Sequence, residues 1–378
     1  MILNMEKRKL RILIVMFFVL LYFVSILISK NSNTVKIGVL TPLSGFNSKI
    51  GENQKNAISM AINDLKEKGV NMDRYKIIYQ DSINDTNKSP LSGYESLKSK
   101  GVKIIITDGD NTIDLIKAKA ESDKILVISQ SSKTPDFIDY SQYTCTLGIN
   151  SKILGSNISA LSYGNLNAKG IIILASNSSY AQGIKDQIIK TYAGRVYEVE
   201  SFDSVFLVDL SEKLTKIMQN ISYADAMIVI DDINPDKVFE KINEMSLNKN
   251  IISDVWTINN TNSNSRSNLK NIKFIDYEFS EQLNLNKNPL ASEFINKYKS
   301  KFNKNPDLLS ALTYDSFNVL YSTIDKVGPK PLSLSMELLN THNYKGVTGT
   351  VDFDTSCQSV NKETVIRKIK NDGTLENL

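Results

Sequence analysis

The stretch Gly170-Ile171-Ile172-Ile173-Leu174-Ala175 is apolar at every position after its glycine. A strand with one face in water alternates apolar and polar residues, whereas a strand that is covered on both faces is apolar without interruption. The stretch therefore predicts a central strand of a parallel β-sheet with helices packed on both of its faces.

Similar apolar runs recur on both sides of this stretch, and segments with the apolar spacing of helices, such as Asn53–Lys68, separate them. Two successive series of strands and helices of similar length predict two doubly wound α/β lobes. The runs of the first series are Val35–Leu40, Tyr75–Gln80, Lys103–Thr107 and Ile125–Ser129, and those that follow the opening stretch are Val196–Phe202, Ala226–Ile230, Ile251–Trp256 and Ile272–Tyr277.

The last part of the chain adds elements after both series are complete. It contains two amphipathic helices, Pro289–Phe302 and Ser310–Val327, and two late strands, Thr350–Phe353 and Glu363–Lys370. We therefore expect the chain to cross between the lobes three times, forming a hinge that can close on a ligand. The crossings are predicted near 149–153, 277–282 and 345–350, and the predicted division is 1–34 for the N-terminal segment, 35–150 with 281–345 for lobe 1, and 151–280 with 346–378 for lobe 2.

The N-terminal segment has the pattern of a membrane-spanning helix. From Ile12 to Ser29 the chain carries no charge and is mostly aliphatic or aromatic, which reaches the length of about 18 residues that a spanning helix needs. Basic residues precede it and predict a cytoplasmic N-terminus with an extracytoplasmic remainder. We predict an uncleaved signal-anchor in the cell membrane, with a cleaved signal peptide and a secreted or periplasmic protein as the alternative.

The charge distribution and the missing motifs argue against nucleic-acid binding, nucleotide binding and a histidine-rich metal site. The net charge of +4 lies entirely within residues 1–34, so the folded part has no basic footprint for nucleic acid. The first strand leads into Thr41-Pro42-Leu43-Ser44-Gly45, which is neither a dinucleotide fingerprint nor a phosphate loop. His342 is the sole histidine, and one histidine cannot build a His-rich metal site. We predict no catalytic activity, no cofactor and no metal.

The two cysteines do not form a disulfide framework by themselves. Cys145 lies in a strand-like run and is interpreted as a small buried residue, whereas Cys357 lies in a turn-like segment. Pairing of the two in an oxidising compartment is the less favoured alternative.

Several segments together resemble the type I periplasmic binding proteins, in particular the leucine/isoleucine/valine-binding branch, over about residues 35–375. The resemblance implies a two-lobed protein that captures an amino-acid-like or polar organic solute and delivers it to the membrane permease of an ABC importer. A ligand-sensing ectodomain that signals through a partner membrane protein is the alternative, and an α/β enzyme is the least favoured. The segments are Val35–Gly45, Gln80–Ser82, Ile128–Pro135, Ser179–Gly183, Ala311–Ser316 and Lys345–Asp354.

The family places its ligand beyond the carboxyl ends of the strands, as open α/β sheets do in general. In amino-acid-binding relatives, hydroxyls and amides of the first lobe hold the ligand carboxylate. By position, Asn111, Thr112, Ser131 and Lys133 would do so here, although each could equally be a turn or cap residue. Lys133 replaces the threonine that is usual in the family, and we hypothesise that it favours a more anionic ligand.

The resemblance also implies a carboxylate in the second lobe that meets the ligand ammonium. Asp254 occupies about that position, and a solvated loop aspartate is the alternative. Tyr180 and Trp256 would form apolar walls over the ligand, unless Tyr180 packs in the core. Asp108 and Asp110 make the first-lobe edge acidic, which suits a simple carboxylate site poorly and argues against a standard branched-chain amino acid as the ligand.

Overall fold

The structure is a computed structural model that describes residues 34–45, 47–82, 89–131, 141–259, 272–360, 362–370 and 372–378, together with Met16, Thr261 and Leu269. The stretch Ile12–Ser29, predicted to span the membrane, lies outside the described residues except for Met16. Within the described part, no helix is both long and apolar enough to cross a membrane.

The first sheet has five parallel strands in the order β2-β1-β3-β4-β5. Helices α1 to α3 connect the first four strands, and proline at the first position of α2 is favourable because that N–H has no partner in the helix. The elements are β1 Val35–Thr41, α1 Ser48–Glu67, β2 Tyr75–Asp81, α2 Pro90–Ser99, β3 Ile104–Gly109, α3 Asp110–Asp123, β4 Leu126–Ser131 and β5 Thr144–Thr146.

The second sheet contains the opening stretch of the sequence as strand β6, Gly170–Ser176, which is buried at every residue. Its neighbours β7 and β8 run parallel to it, as predicted for a strand covered on both faces. The elements that follow β5 are α4 Ser151–Ala160, β6, α5 Ser179–Thr191, β7 Arg195–Phe202, α6 Leu210–Asn220, β8 Ala226–Ile230, α7 Pro235–Glu244, β9 Asn250–Asp254, α8 Val255–Asn259 and β10 Lys273–Tyr277.

Two antiparallel strands from the C-terminal segment complete the second sheet, whose order is β15-β14-β10-β9-β8-β6-β7. The predicted parallel, helix-covered arrangement is confirmed for the first sheet and for strands β6 to β10 of the second. The last elements of the chain are α9 Pro289–Phe302, α10 Leu308–Val327, α11 Pro331–Leu339, β11 Tyr344–Gly346, β12 Gly349–Phe353, β13 Ser359–Val360, β14 Thr364–Ile369 and β15 Leu375–Asn377.

Strands β11, β12 and β13 form a small separate sheet beside the first lobe. Val351, Phe353 and Cys357 belong to the same hydrophobic core as the first sheet. The predicted boundary put residues 346–378 in the second lobe, whereas in the structure only the part from β14 onward joins the second sheet.

A disulfide bond joins Cys145 of β5 to Cys357 of the turn between β12 and β13, with the Cα atoms 4.7 Å apart. Both residues are almost fully buried. The interpretation of Cys145 as an unpaired apolar residue is therefore wrong, because the return of the chain to the first lobe places the second cysteine beside it.

The segments between the lobes are tied to one another. The backbone N–H of Ile149 donates to the Tyr277 hydroxyl at 2.7 Å, which connects two of the predicted crossing segments. Helix α10 contacts both lobes, since Leu312 packs in a core of the second sheet and Phe317 in the core of the first. Two of the predicted crossing segments are therefore bonded to each other, and α10 packs against the cores of both sheets.

Candidate functional site

The carboxyl ends of strands β2, β1, β3 and β4 carry polar side chains at one level of the first sheet. Thr41 of β1 pairs with Asp81 of β2. One residue before this level, Leu40 pairs with Thr107 of β3, and Thr107 pairs with Ser129 of β4. The next residues, Thr41, Asp108 and Gln130, therefore lie side by side on neighbouring strands. Side chains alternate between faces along a strand, so all four lie on the face that the first core covers. We call Asp81, Thr41, Asp108 and Gln130 the polar row.

Helix α1 contacts the row through Gln54. The Thr41 hydroxyl donates to Gln54 Oε1, and Gln54 Nε2 donates to Gln130 Oε1 at 2.5 Å. Gln130 is fully buried, yet its Nε2 has no hydrogen-bond partner within the described residues. A buried donor without a partner costs about 1–3 kcal/mol.

The loop after β1 is held against the row. The Asp81 carboxylate accepts hydrogen bonds from the Leu43 N–H at 2.8 Å and from Ser44 Oγ at 2.6 Å. Gly51 of α1 allows a close approach here, because a Cβ at this position would lie 1.9 Å from the carbonyl oxygen of Pro42. The start of α1 and this loop therefore form a fixed rim at the edge of the first sheet.

Asp108 is a half-buried carboxylate of the row. Its oxygens lie 3.4 Å from Ser82 Oγ and 3.3 Å from Thr107 Oγ1, and the Thr107 hydroxyl also lies 3.2 Å from the Leu40 carbonyl. Burial raises the pKa of Asp108 to about 6, against a smaller lowering by hydroxyl donors that include Thr112. No lysine or arginine of the described part contributes to that balance.

Two aspartates occupy the corresponding strand ends of the second sheet. Asp231, which follows β8, is fully buried and accepts from Ser204 Oγ at 2.7 Å and from the Ile233 N–H at 3.1 Å. Asp254 ends β9 and is also fully buried. Burial raises the pKa of both carboxyls.

Internal donors surround Asp254. It accepts from the backbone N–H groups of Trp256 at 2.9 Å and Thr257 at 3.2 Å, and from the hydroxyls of Tyr180 and Thr257. The carboxylate therefore holds the first turn of α8 and fixes the Tyr180 side chain. Its role toward a ligand ammonium stays a prediction.

The other predicted site residues fall into three groups. Thr112 is buried in the first turn of α3, where its hydroxyl lowers the pKa of Asp108, and Ser131 Oγ donates to the Asp108 carbonyl at 3.2 Å. Tyr180 and Trp256, 2% and 7% exposed, pack in the same core of the second lobe. The side chain of Asn111 and the whole of Lys133 lie outside the described residues.

Sequence reasoning missed Gln54, Gln130 and Asp231 as candidate residues. Gln130 and Asp231 could have been found because each interrupts or directly follows a buried apolar strand at its carboxyl end. Across the described ranges, no group of three or more His, Cys, Asp or Glu side chains is arranged to hold a metal ion.

Two α/β lobes, joined by crossing segments and carrying polar residues at the carboxyl ends of their strands, define the class of two-lobed solute-binding proteins. The chain belongs to the periplasmic binding protein family, whose model matches residues 34–374. The predicted type I fold is confirmed. Proteins of this family bind solutes and are typically non-enzymatic.

Solved structures show the same fold at low identity. LivJ from Streptococcus pneumoniae, a branched-chain amino acid transporter substrate-binding protein in complex with isoleucine, is 20% identical, with a TM-score of 0.73 over 91% of this chain and 99% of that one. The leucine-binding protein LivK from Thermotoga maritima is 20% identical, with a TM-score of 0.74 over 91% and 98%.

A solute-binding protein of an ABC transporter from R. palustris, in complex with benzoate, is 14% identical, with a TM-score of 0.72 over 91% of this chain and 95% of that one. No curated protein matches the chain.

Proposed function

We propose that this protein captures a small amino-acid-like or polar organic solute outside the cytoplasm and delivers it to the permease of an ABC importer. The observation that carries the proposal is the packed set of crossing segments, in which Tyr277 bonds to Ile149 and α10 contacts both lobes. Such a connection allows the lobes to close as rigid bodies, and the free energy of ligand binding drives closure without chemistry.

The proposed lobes differ slightly from those predicted. The first comprises 35–150 with 281–360, because β12 and Cys357 pack with the first core. The second comprises 151–280 with the segment from β14 to the C-terminus, because β14 pairs with β10. This division puts both cysteines in the first lobe.

The proposed ligand-binding residues lie at the facing strand ends. In the first lobe they are Thr112 and Ser131, which both contact Asp108, with Asn111 and Lys133 beside them in the sequence. In the second lobe Asp254 holds Tyr180 and the start of α8, so that Tyr180 and Trp256 support the ligand surface from the core.

The proposed location is extracytoplasmic, with residues 12–29 as the membrane anchor. The disulfide supports this location, because disulfide bonds persist in oxidising compartments and are rare in the cytosol. An anchor would keep the binding domain beside the permease.

A thermal-shift screen of the full-length chain in detergent tests the proposal, with amino acids, amides, dicarboxylates and aromatic acids as ligands. A true ligand at 100 times its Kd should stabilise the fold by about 2.7 kcal/mol and raise the melting temperature. Cells that lack the protein should then take up the labelled ligand more slowly. A screen in which no compound raises the melting temperature would contradict solute capture.

A matched pair of variants tests whether the contact between the crossing segments affects ligand affinity. Tyr277→Phe removes the hydroxyl that accepts from the Ile149 N–H, and Tyr223→Phe removes an exposed tyrosine hydroxyl of the second lobe as the control. We expect the first variant to change ligand affinity at least several-fold and the second to leave it unchanged.

A further inference from the structure

Three strand-end carboxylates of the two lobes have no lysine or arginine partner among the described residues. Asp108 lies at the edge of the first sheet, and Asp231 and Asp254 lie at the edge of the second. Burial is the main influence on the pKa of all three, and no lysine or arginine of the described residues lowers any of them. The described residues at these strand ends therefore contribute carboxylates and no neutralising cation, and buried charges are screened less by salt than exposed ones.

The three carboxylates differ in the number and length of the hydrogen bonds that their oxygens accept. Asp231 and Asp254 each accept from backbone N–H groups at ordinary distances and from hydroxyls. Asp108 receives two long hydroxyl contacts of 3.3 and 3.4 Å and a contact from Thr112. It is also the one of the three that is partly open to solvent, so it keeps capacity for a further donor.

Gln130, the neighbour of Asp108 in the polar row, gives an independent indication of a ligand. Adjacent strands lie about 4.8 Å apart, which places the two side chains within reach of one small molecule. Gln130 is fully buried, its Oε1 accepts from Gln54, and its Nε2 lacks an acceptor in the part of the chain that the structure describes. Among the described residues, a carboxylate without a cation thus stands beside an amide donor without an acceptor.

We propose that Asp108 binds a cationic N–H group of the ligand and that Gln130 binds an acceptor atom of the same molecule. The preferred ligands are then amine- or guanidine-bearing solutes, zwitterionic or net positive, and acids without a cationic group are excluded. This inference rests on the proposed solute capture. It reverses the expectation that the first lobe holds a carboxylate, because an anion brought against Asp108 meets a like charge.

The physical test measures Kd by calorimetry at pH 7.5 on the full-length chain in detergent. Leucine, leucinamide and N-acetylleucine form a matched series in which the carboxylate or the ammonium charge is removed in turn, with agmatine and benzoate as further probes. We expect leucinamide and agmatine to bind at least 10-fold more tightly than N-acetylleucine and benzoate. Because protonation of Asp108 removes its charge, affinity for the cationic probes should fall as the pH is lowered from 7.5 to 5.

Two variants separate the role of Asp108 from a general effect of charge. Asp108→Asn should weaken cation binding at least 10-fold without lowering the melting temperature, since it removes a charge that burial disfavours. Asp114→Asn is the control, because Asp114 lies in the helix that follows β3 but is exposed and paired with Lys117. It should leave every Kd unchanged.

Tighter binding of N-acetylleucine or benzoate than of the cationic probes would overturn the inference. So would unchanged affinity for the cationic probes in Asp108→Asn, and in both cases solute capture would stand. A chain that binds no compound of any class in calorimetry or thermal shift would refute the proposed function, and this inference with it.

Discussion

Removal of the disulfide between Cys145 and Cys357 by a double substitution to alanine should destabilise the first lobe strongly. The bond joins residues 212 positions apart, so it removes a large loop-closure entropy from the unfolded chain. For a loop of that length the chain-entropy relation gives about 5 kcal/mol at 25 °C. Both cysteines are buried, and the small alanine side chains keep the core nearly filled.

Urea unfolding followed by two probes measures this effect. The single tryptophan, Trp256, lies in a core of the second lobe, whereas far-UV circular dichroism reports on both lobes. With an m-value of about 2–3 kcal/mol/M, a loss of 5 kcal/mol moves the midpoint of the first-lobe transition down by about 2 M. The transition seen by Trp256 fluorescence should move much less.

Reduction supplies the matched control. Wild-type protein in dithiothreitol should unfold like the double variant, and the double variant should not respond to dithiothreitol. A loss of less than about 1 kcal/mol in the first-lobe transition would refute the loop-entropy reasoning. An equal shift of both probes would refute the assignment of both cysteines to one lobe.

Three further changes test buried charges. Arg367→Met should cost about 3–5 kcal/mol in urea unfolding, because it leaves the buried Asp276 carboxylate without its guanidinium partner. As the control, Lys368→Met breaks a more exposed ion pair on the same strand and should cost less than about 1 kcal/mol. Lys362→Met should cost about 3 kcal/mol in urea unfolding, because burial raises the pKa of the Asp315 carboxyl and the buried Lys362 ammonium opposes that rise. A loss smaller than about 1 kcal/mol would contradict that role. Because the pKa of Asp108 is raised, its contribution to stability falls as the pH rises from 4 through 6. In thermal denaturation, Asp108→Asn should therefore be about 1–2 kcal/mol more stable than wild type at pH 7.5 and equally stable at pH 4. A stability difference that does not change with pH would contradict the raised pKa.

The sequence predicted the two sheets because local patterns determine them. The apolar stretch Gly170–Ala175 became β6 at the position expected, and the parallel neighbours followed from the alternation of strands with helices. The disulfide was not predicted, because pairing depends on the return of the chain to the first lobe after more than half of its length. No local pattern around Cys145 carries that information.

The candidate site was less accessible to sequence reasoning. A carboxylate at the end of a strand can face a ligand or hold the next helix, and the spacing is the same in both cases. Asp254 holds α8 through the Trp256 and Thr257 N–H groups, whereas Asp108 keeps capacity for another donor. Only the three-dimensional register brought Gln130 beside Asp108.

The bond between Cys145 and Cys357 also makes most of the chain a covalent ring that contains every parallel strand of the second sheet. Phe206, 75% exposed in the turn after β7, is an accessible site for a protease within this ring. A cut there leaves the two fragments joined, so the nicked protein migrates as one species on a non-reducing gel and separates only after reduction. Outside the cell, where proteases are common, a single cleavage therefore does not release either fragment.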